Sequence, residues 1–203
     1  MALKFANNNS LSAITSTPSG VGGGSLNLIS TTTASSSSTI SFTSGIDSTY
    51  KEYIFKFFDI HPATNGTNFQ FNMSIDGGSN YNVTKTTTFF SAYHEEPGSD
   101  SGLGYNTGFD VAQSTSNANL SVESSNDNDH CLSGTFHLFD PSNTTFVKHF
   151  ICRTSGVTSS GDDYEYDVST AGYGNTTSAI NAIQFSFASG NIDSGTIKLY
   201  GVS

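Results

Sequence analysis

The feature that most constrains this chain is the alternation of its apolar residues with a period of two, carried to the very end of the sequence. In AIQFSFASGNIDSGTIKLYGVS, Ile183, Phe185 and Phe187 point one way and Gln184, Ser186 and Ala188 the other; Ile197 and Leu199 resume the pattern after a Gly-rich gap. Only an extended strand places every second side chain on one face. Chain ends usually fray, so regularity here marks the last segment as core. The spacing predicts a closing β-hairpin in which the five-residue loop Ser189 to Asp193 sets Phe185 opposite Ile197 and Ile183 opposite Leu199. Gly190 and Asn191 suit such a loop because both tolerate positive φ.

The same period recurs upstream. In YKEYIFKFFDI, Tyr53, Phe55 and Phe57 share one face against Glu52 and Lys56, and His61-Pro62 ends the strand because proline cannot donate to a ladder. Phe69, Phe71, Met73 and Ile75 alternate, as do Tyr81 and Val83. A three-residue loop, Gly77-Gly78-Ser79, would pair Ile75 with Tyr81 and Met73 with Val83. TTTFFSAYH, TFHLFD and FVKHFICR read as further strands, and the polar stretches at 94–108, 123–130 and 155–167 read as exposed loops. No segment carries a helical period. Although only 34% of residues are hydrophobic, 16 Phe and 9 Tyr supply large buried areas at few positions. With 12% charged residues, the surface falls to Ser, Thr, Asn and Gly, which disfavour helices. About eight to ten short strands separated by turn residues predict an all-β fold: an antiparallel, jelly-roll-like β-sandwich. Residues 1–39 are polar and of low complexity, and read as an extended N-terminal arm or attachment segment, with LNLIS and TISF each able to add a strand; residues 40–203 form the sandwich domain.

The formal net charge of −10 and seven scattered Lys plus Arg, with Arg153 the one arginine, lack the clustered cations that phosphates require, so nucleic acid and anionic membranes are not expected partners. No apolar run approaches the ~18 residues of a membrane span. MALKFANNNSLSAITS lacks the apolar core of a secretory leader, which predicts synthesis in the cytoplasm without export by that route.

Candidate sites are few. Asp140-Pro141-Ser142-Asn143 fits a β-turn, and a hairpin with Asp140 opposite Asn143 would set Cys131 opposite Cys152. The pair is a disulfide candidate; free thiols are the expectation in a reducing compartment. That register places His137 and His149 on opposite faces, and Cys152 and His149, three apart on one strand, cannot form a nucleophilic dyad. Ser74-x-Asp76-x-Gly78-x-x-Tyr81 is similar to the Asp-box hairpin of sialidases, but one copy beside one arginine is better explained as a side-chain-stabilised turn. The acidic runs at 126–129 and 162–167 read as solvated loops, or as calcium ligands should the two loops converge. Asn-x-Ser/Thr triplets such as that at Asn72 follow from composition. No catalytic residue, cofactor or metal is expected, and the chain reads as a non-enzyme. Tyr105, Phe109, Tyr164, Tyr166 and Tyr173, placed in polar stretches, are the candidate contacts, either stacking on sugars or packing against subunits.

AINAIQFSFASGNIDSGTIKLYGVS, YKEYIFKFFDIHPATNGTNF and SIDGGSNY together resemble a loose family of small virion structural proteins of tailed, especially marine, bacteriophages. The resemblance spans most of residues 40–203 and is weakest at 95–130. It implies a virion part on the particle exterior, decorating or cementing the capsid as a homo-oligomer, with a trimer expected, in contact with other virion proteins. The rival expectation is a tail-fibre head that binds a host receptor or surface glycan. No catalytic residues come with it.

Overall fold

The computed structural model describes residues 26–159, 161 and 163–203. Among these the chain forms twelve strands and no helix: β1 (Leu26–Thr33), β2 (Ile40–Phe42), β3 (Glu52–Pro62), β4 (Phe69–Ser74), β5 (Lys85–Glu95), β6 (Ser101–Tyr105), β7 (Ala118–Asn119), β8 (Leu132–Phe139), β9 (Lys148–Val157), β10 (Tyr164–Gly174), β11 (Ala182–Phe187) and β12 (Ile192–Val202). They build an antiparallel β-sandwich. An eight-stranded sheet runs β1-β12-β3-β8-β9-β10-β5-β6 and faces a four-stranded sheet, β2-β11-β4-β7.

The alternating residues meet between the sheets. Tyr53, Phe55 and Phe57 from β3, Phe136 from β8 and Phe150 from β9 point inward, and Phe69, Phe71 and Phe185 come from the smaller sheet; all are essentially inaccessible. Phe185 sits at the middle, its ring centroid 5.1–6.3 Å from those of Phe42, Phe55, Phe57, Phe69 and Phe136. Edge-to-face and offset geometries place ring edges against ring faces, which adds to the area term.

The structure corrects several local expectations. β11 and β12 do not pair as a hairpin: β11 lies between β2 and β4, whereas β12 lies between β1 and β3. The connection arches from one sheet to the other, so Ile183, Phe185, Ile197 and Leu199 are all buried by facing each other across the core. Alternation states which residues are inward but is equally served by a neighbour in the same sheet or a partner opposite. Likewise, Val83 N–H reaches Met73 C=O at 3.3 Å, yet Ile75 is exposed and no ladder grows to Tyr81, because the chain departs for β5 in the larger sheet. The turn itself forms: Gly77 and Gly78 have φ of 71° and 89°.

Residues 26–39 are not part of an arm. β1 pairs with β12 through seven residues, Ala34 N–H donates to Gly195 C=O at 2.8 Å, and Ser37 bridges Ile192. Residues 1–25 of the expected arm lie outside the described residues. The stretches at 94–108 and 155–167 hold strands as well as loops: β6 pairs with the end of β5, and β10 with β9. Their intervening Glu, Asp and Gly hid an alternation that Tyr164, Tyr166 and Val168 in fact carry.

Cys131 and Cys152 are free thiols. The predicted turn is present, with Asn143 N–H donating to Asp140 C=O at 3.0 Å, but the chain stays irregular from 140 to 147. The ladder resumes with Phe136 opposite Cys152, and Cys131 lies beyond its end. A turn fixes register only if strands leave it directly.

The inner face of the large sheet is covered in two ways. Over β12, β3, β8 and β9 the cover is the four-stranded sheet. Over β10 and β5 it is the connection from 106 to 131, whose backbone bonds Phe89 C=O through Asn106 N–H at 2.9 Å and exchanges 2.9 and 3.0 Å bonds between Ser114 and Lys85. Beneath it Phe89, Val122 and Val168 form a small separate cluster, with Phe109 and Tyr166 packed against it. At the seam, Lys85 and Lys148 both oppose Gly174 from either side and are fully buried. Lys85 Nζ donates to Ser116 C=O at 2.7 Å, Asn72 Oδ1 at 2.8 Å and Val83 C=O at 3.1 Å. Every acceptor is neutral, and burial pulls the amine down to about 8.

Candidate interaction face

The outward side of the eight-stranded sheet has no second layer among the described residues. Because β3, β8, β9, β10 and β5 are paired in register, their outward residues align in rows across the sheet. One row reads Tyr200, Ile54, His137, Ile151, Ala171 and Thr88. Beside it, Phe139, His149, Ile151 and Tyr173 with Thr86 and Thr88 line a shallow depression of about 500 Å³. Ile151 is 53% exposed; Phe146, 68% exposed, lines an adjoining depression that shares Phe139 and His149. An apolar depression fringed by hydroxyls and one imidazole has the composition of a contact surface.

His137 and His149 therefore share this outer face, contrary to expectation, because the register is displaced from that of the simple turn. His137 Nδ1 lies 2.6 Å from Glu52 Oε1, and the His149 ring lies 6.1 Å from that of Tyr173. Cys152 points the other way into the core, where burial pushes its thiol up, so no thiol–imidazole pair forms.

The structure scatters the five candidate aromatic residues. Tyr173 belongs to the depression, its hydroxyl accepting from Gln113 Nε2 at 3.1 Å. Tyr105 ends β6, exposed, with its hydroxyl bonded to Asp110, a contact that raises its pKa. Phe109 is partly buried: its ring stacks on Phe89 at 5.2 Å, against the small cluster under the connection. Tyr164 and Tyr166 lie in β10 rather than in a loop, and group with Tyr93 at 5.7 and 5.3 Å. Tyr93 and Tyr166, with Ser91, Gly102, Leu103 and Asn106, line a second, smaller depression of about 260 Å³.

Charge is segregated along the strands. At the end where β3, β5 and β9 finish and β8, β10 and β12 begin lie Asp59, Glu95, Glu96, Asp100, Glu123, Asp127, Asp129, Asp163 and Asp193, with no Lys or Arg in the described residues of those connections. The two acidic loops do converge there: His130 has Asp127 at 4.0 Å and Asp129 and Asp163 at 3.9 Å. Three carboxylates and one imidazole fall short of the six to eight oxygens that calcium takes. Asp162 of that run lies outside the described residues. Asp76 acts in its turn: it accepts from Ser74 Oγ at 2.7 Å, Asn80 N–H at 2.9 Å and Asn80 Nδ2 at 2.7 Å, contacts that hold its carboxyl down to about 2.

The cations lie elsewhere. Lys56 of β3 and Lys198 of β12 are direct cross-strand partners on the outer face. Lys56 Nζ lies 5.5 Å from the Tyr200 ring centroid and Lys198 Nζ 5.4 Å from that of Phe58. Sequence reasoning missed this pair, since its only signal is the β3–β12 register, which the hairpin expectation had assigned to β11. No helix among the described residues is long and apolar enough to cross a membrane. No protein-family model, curated protein or solved structure matches the chain.

Proposed function

We propose that this chain is a non-enzymatic structural protein of the exterior of a tailed-phage particle, working as a homo-oligomer, with a trimer expected, that decorates or cements the capsid. The observation that carries the reading is the outer face of the eight-stranded sheet, where exposed Ile151 lines an apolar depression of about 500 Å³ and exposed Phe146 lines a second one that shares Phe139 and His149 with it. A rigid antiparallel frame is well suited to holding such a face flat against a neighbour. The resemblance at 183–201 supports the virion assignment. Residues 1–25, which precede β1, are the proposed attachment segment to other virion proteins.

The test is light scattering on the purified chain, followed by binding to bare particles. A mass that is a multiple of 21.4 kDa, falling to one chain in an I151E/F146E variant, supports the reading. Deleting residues 1–25 should abolish particle binding without unfolding the sandwich. A monomer at all concentrations, or undiminished decoration by the truncated chain, overturns the corresponding part.

A second reading, a glycan-binding fibre head, is favoured by the depression beside Tyr93, Tyr166 and Asn106, because aromatic faces and amides suit sugar rings. Loss of cell or glycan binding in Y164A/Y166A would establish it.

A further inference from the structure

Resting on the homo-oligomer reading, we propose where one copy holds the next: the acidic end of one chain docks on the Lys56–Lys198 pair of its neighbour. Like charges placed directly opposite each other in a sheet repel and destabilise the pairing. Here two ammonium groups stand opposite each other, and among the described residues neither has a carboxylate partner. Their neighbours are the Tyr200 and Phe58 rings, which stabilise a cation but do not neutralise it. Phe58 is 40% exposed. The arrangement is a cationic patch walled by aromatic faces, complete except for an anion.

The molecule supplies that anion itself. In a chain of net charge −10, the end bearing Asp127, Asp129 and Asp163 has no lysine or arginine in its described connections. Asp127 and Asp129 are 68% and 92% exposed. This end cannot reach the middle of its own sheet face, so the two surfaces meet only between copies. The contact joins different surfaces of two chains and closes into a ring when its rotation permits. Electrostatic attraction of this kind sets orientation and association rate and weakens with salt.

The experiment is light scattering on three forms of the full chain: wild type, K56E/K198E and D127K/D129K. Wild type is expected to oligomerise and to dissociate as salt rises, and each variant alone to be monomeric. Mixed, the variants are expected to restore assembly with the two kinds alternating, because each junction between unlike variants joins opposite charges and each junction between like variants does not. An unchanged oligomer in K56E/K198E overturns the inference and leaves the homo-oligomer reading standing. Monomeric wild type overturns both. Should that monomer be retained on a polyuronate column through Lys56 and Lys198, the patch holds an acidic glycan and the copy-to-copy contact is refuted.

Discussion

The two halves of the large sheet are buried by different means. β12, β3, β8 and β9 are covered by another sheet, and their interface is almost wholly aromatic and aliphatic. β10 and β5 are covered by the connection at 106–131, and there the inward positions include Thr87, Ser91 and Thr170 around a small cluster of Phe89, Val122 and Val168. The difference follows from backbone chemistry. A covering sheet satisfies its own N–H and C=O groups, so its partner residues can be apolar. An irregular segment cannot, and the sheet beneath must offer hydroxyls and free carbonyls. Val111 N–H accordingly donates to Thr87 Oγ1 at 2.9 Å, and Thr87 N–H to Val111 C=O at 2.8 Å.

The strongest way to break this comparison is to truncate one ring in each half. F185A removes a ring in contact with five others. It is expected to cost at the upper end of the roughly 3–5 kcal/mol typical of buried Phe→Ala. F89A, whose ring among the described residues stacks only on Phe109, is expected at or below the lower end, since the connection can settle into the space. Urea unfolding of both variants gives the two values; equal costs would mean that the connection packs as rigidly as a sheet.

The halves also differ in how legible they were. In the sheet-covered half, β3, β4, β8, β9, β11 and β12 announced themselves through apolar residues at alternate positions, because sheet-on-sheet burial demands apolar side chains on one face. The extensions of β5 and β10 and the whole of β6 read as loops, because their inward residues are Tyr, Ser, Gly and Glu, the types that turns also use. Pairing was less legible than facing. Parity placed Ile183, Phe185, Ile197 and Leu199 correctly inward, yet could not distinguish a hairpin from an arch. The interaction face depended on pairing throughout, so neither the Ile151 depression nor the Lys56–Lys198 patch was visible in the sequence.

Lys85 at the seam sharpens the comparison with a smaller effect. In the unfolded chain its amine has an ordinary value of 10.5, and in the fold about 8. Below pH 8 both states are protonated and the cost of burying the charge is fully present. Between pH 8 and 10.5 the unfolded chain holds the proton that the folded one has released, so stability rises with pH. From pH 7.5 to 9.5 the gain should be on the order of 1–2 kcal/mol. K85M is expected to remove that rise. It takes the amine donor from the Ser116 and Val83 carbonyls and from Asn72 Oδ1, the last of which keeps Met73 N–H at 2.9 Å; the loss lowers stability at every pH but does not change its slope. Unfolding midpoints of both proteins across this range measure the difference. Parallel pH profiles would show that Lys85 reaches solvent, and that the seam is open.

The smallest effect asks whether the sheet-covered half ever opens alone. Cys152 lies in the middle of β9, 1% exposed, with Phe136 opposite it and Phe150 two residues before it. Cys131 lies at the rim before β8, partly exposed, its thiol raised by desolvation and then by Asp59, whose Oδ1 is 3.9 Å away. Native protein treated with a maleimide at pH 8 should therefore take one label, slowly, on Cys131, and a second only after unfolding. The unfolding midpoint should not move on the first labelling, because the rim carries little of the core. Intact mass before and after denaturation distinguishes the two thiols. If Cys152 labels as fast as Cys131, β9 separates from the smaller sheet without global unfolding. Its Phe cluster would then be no more cooperative than the loop-covered side.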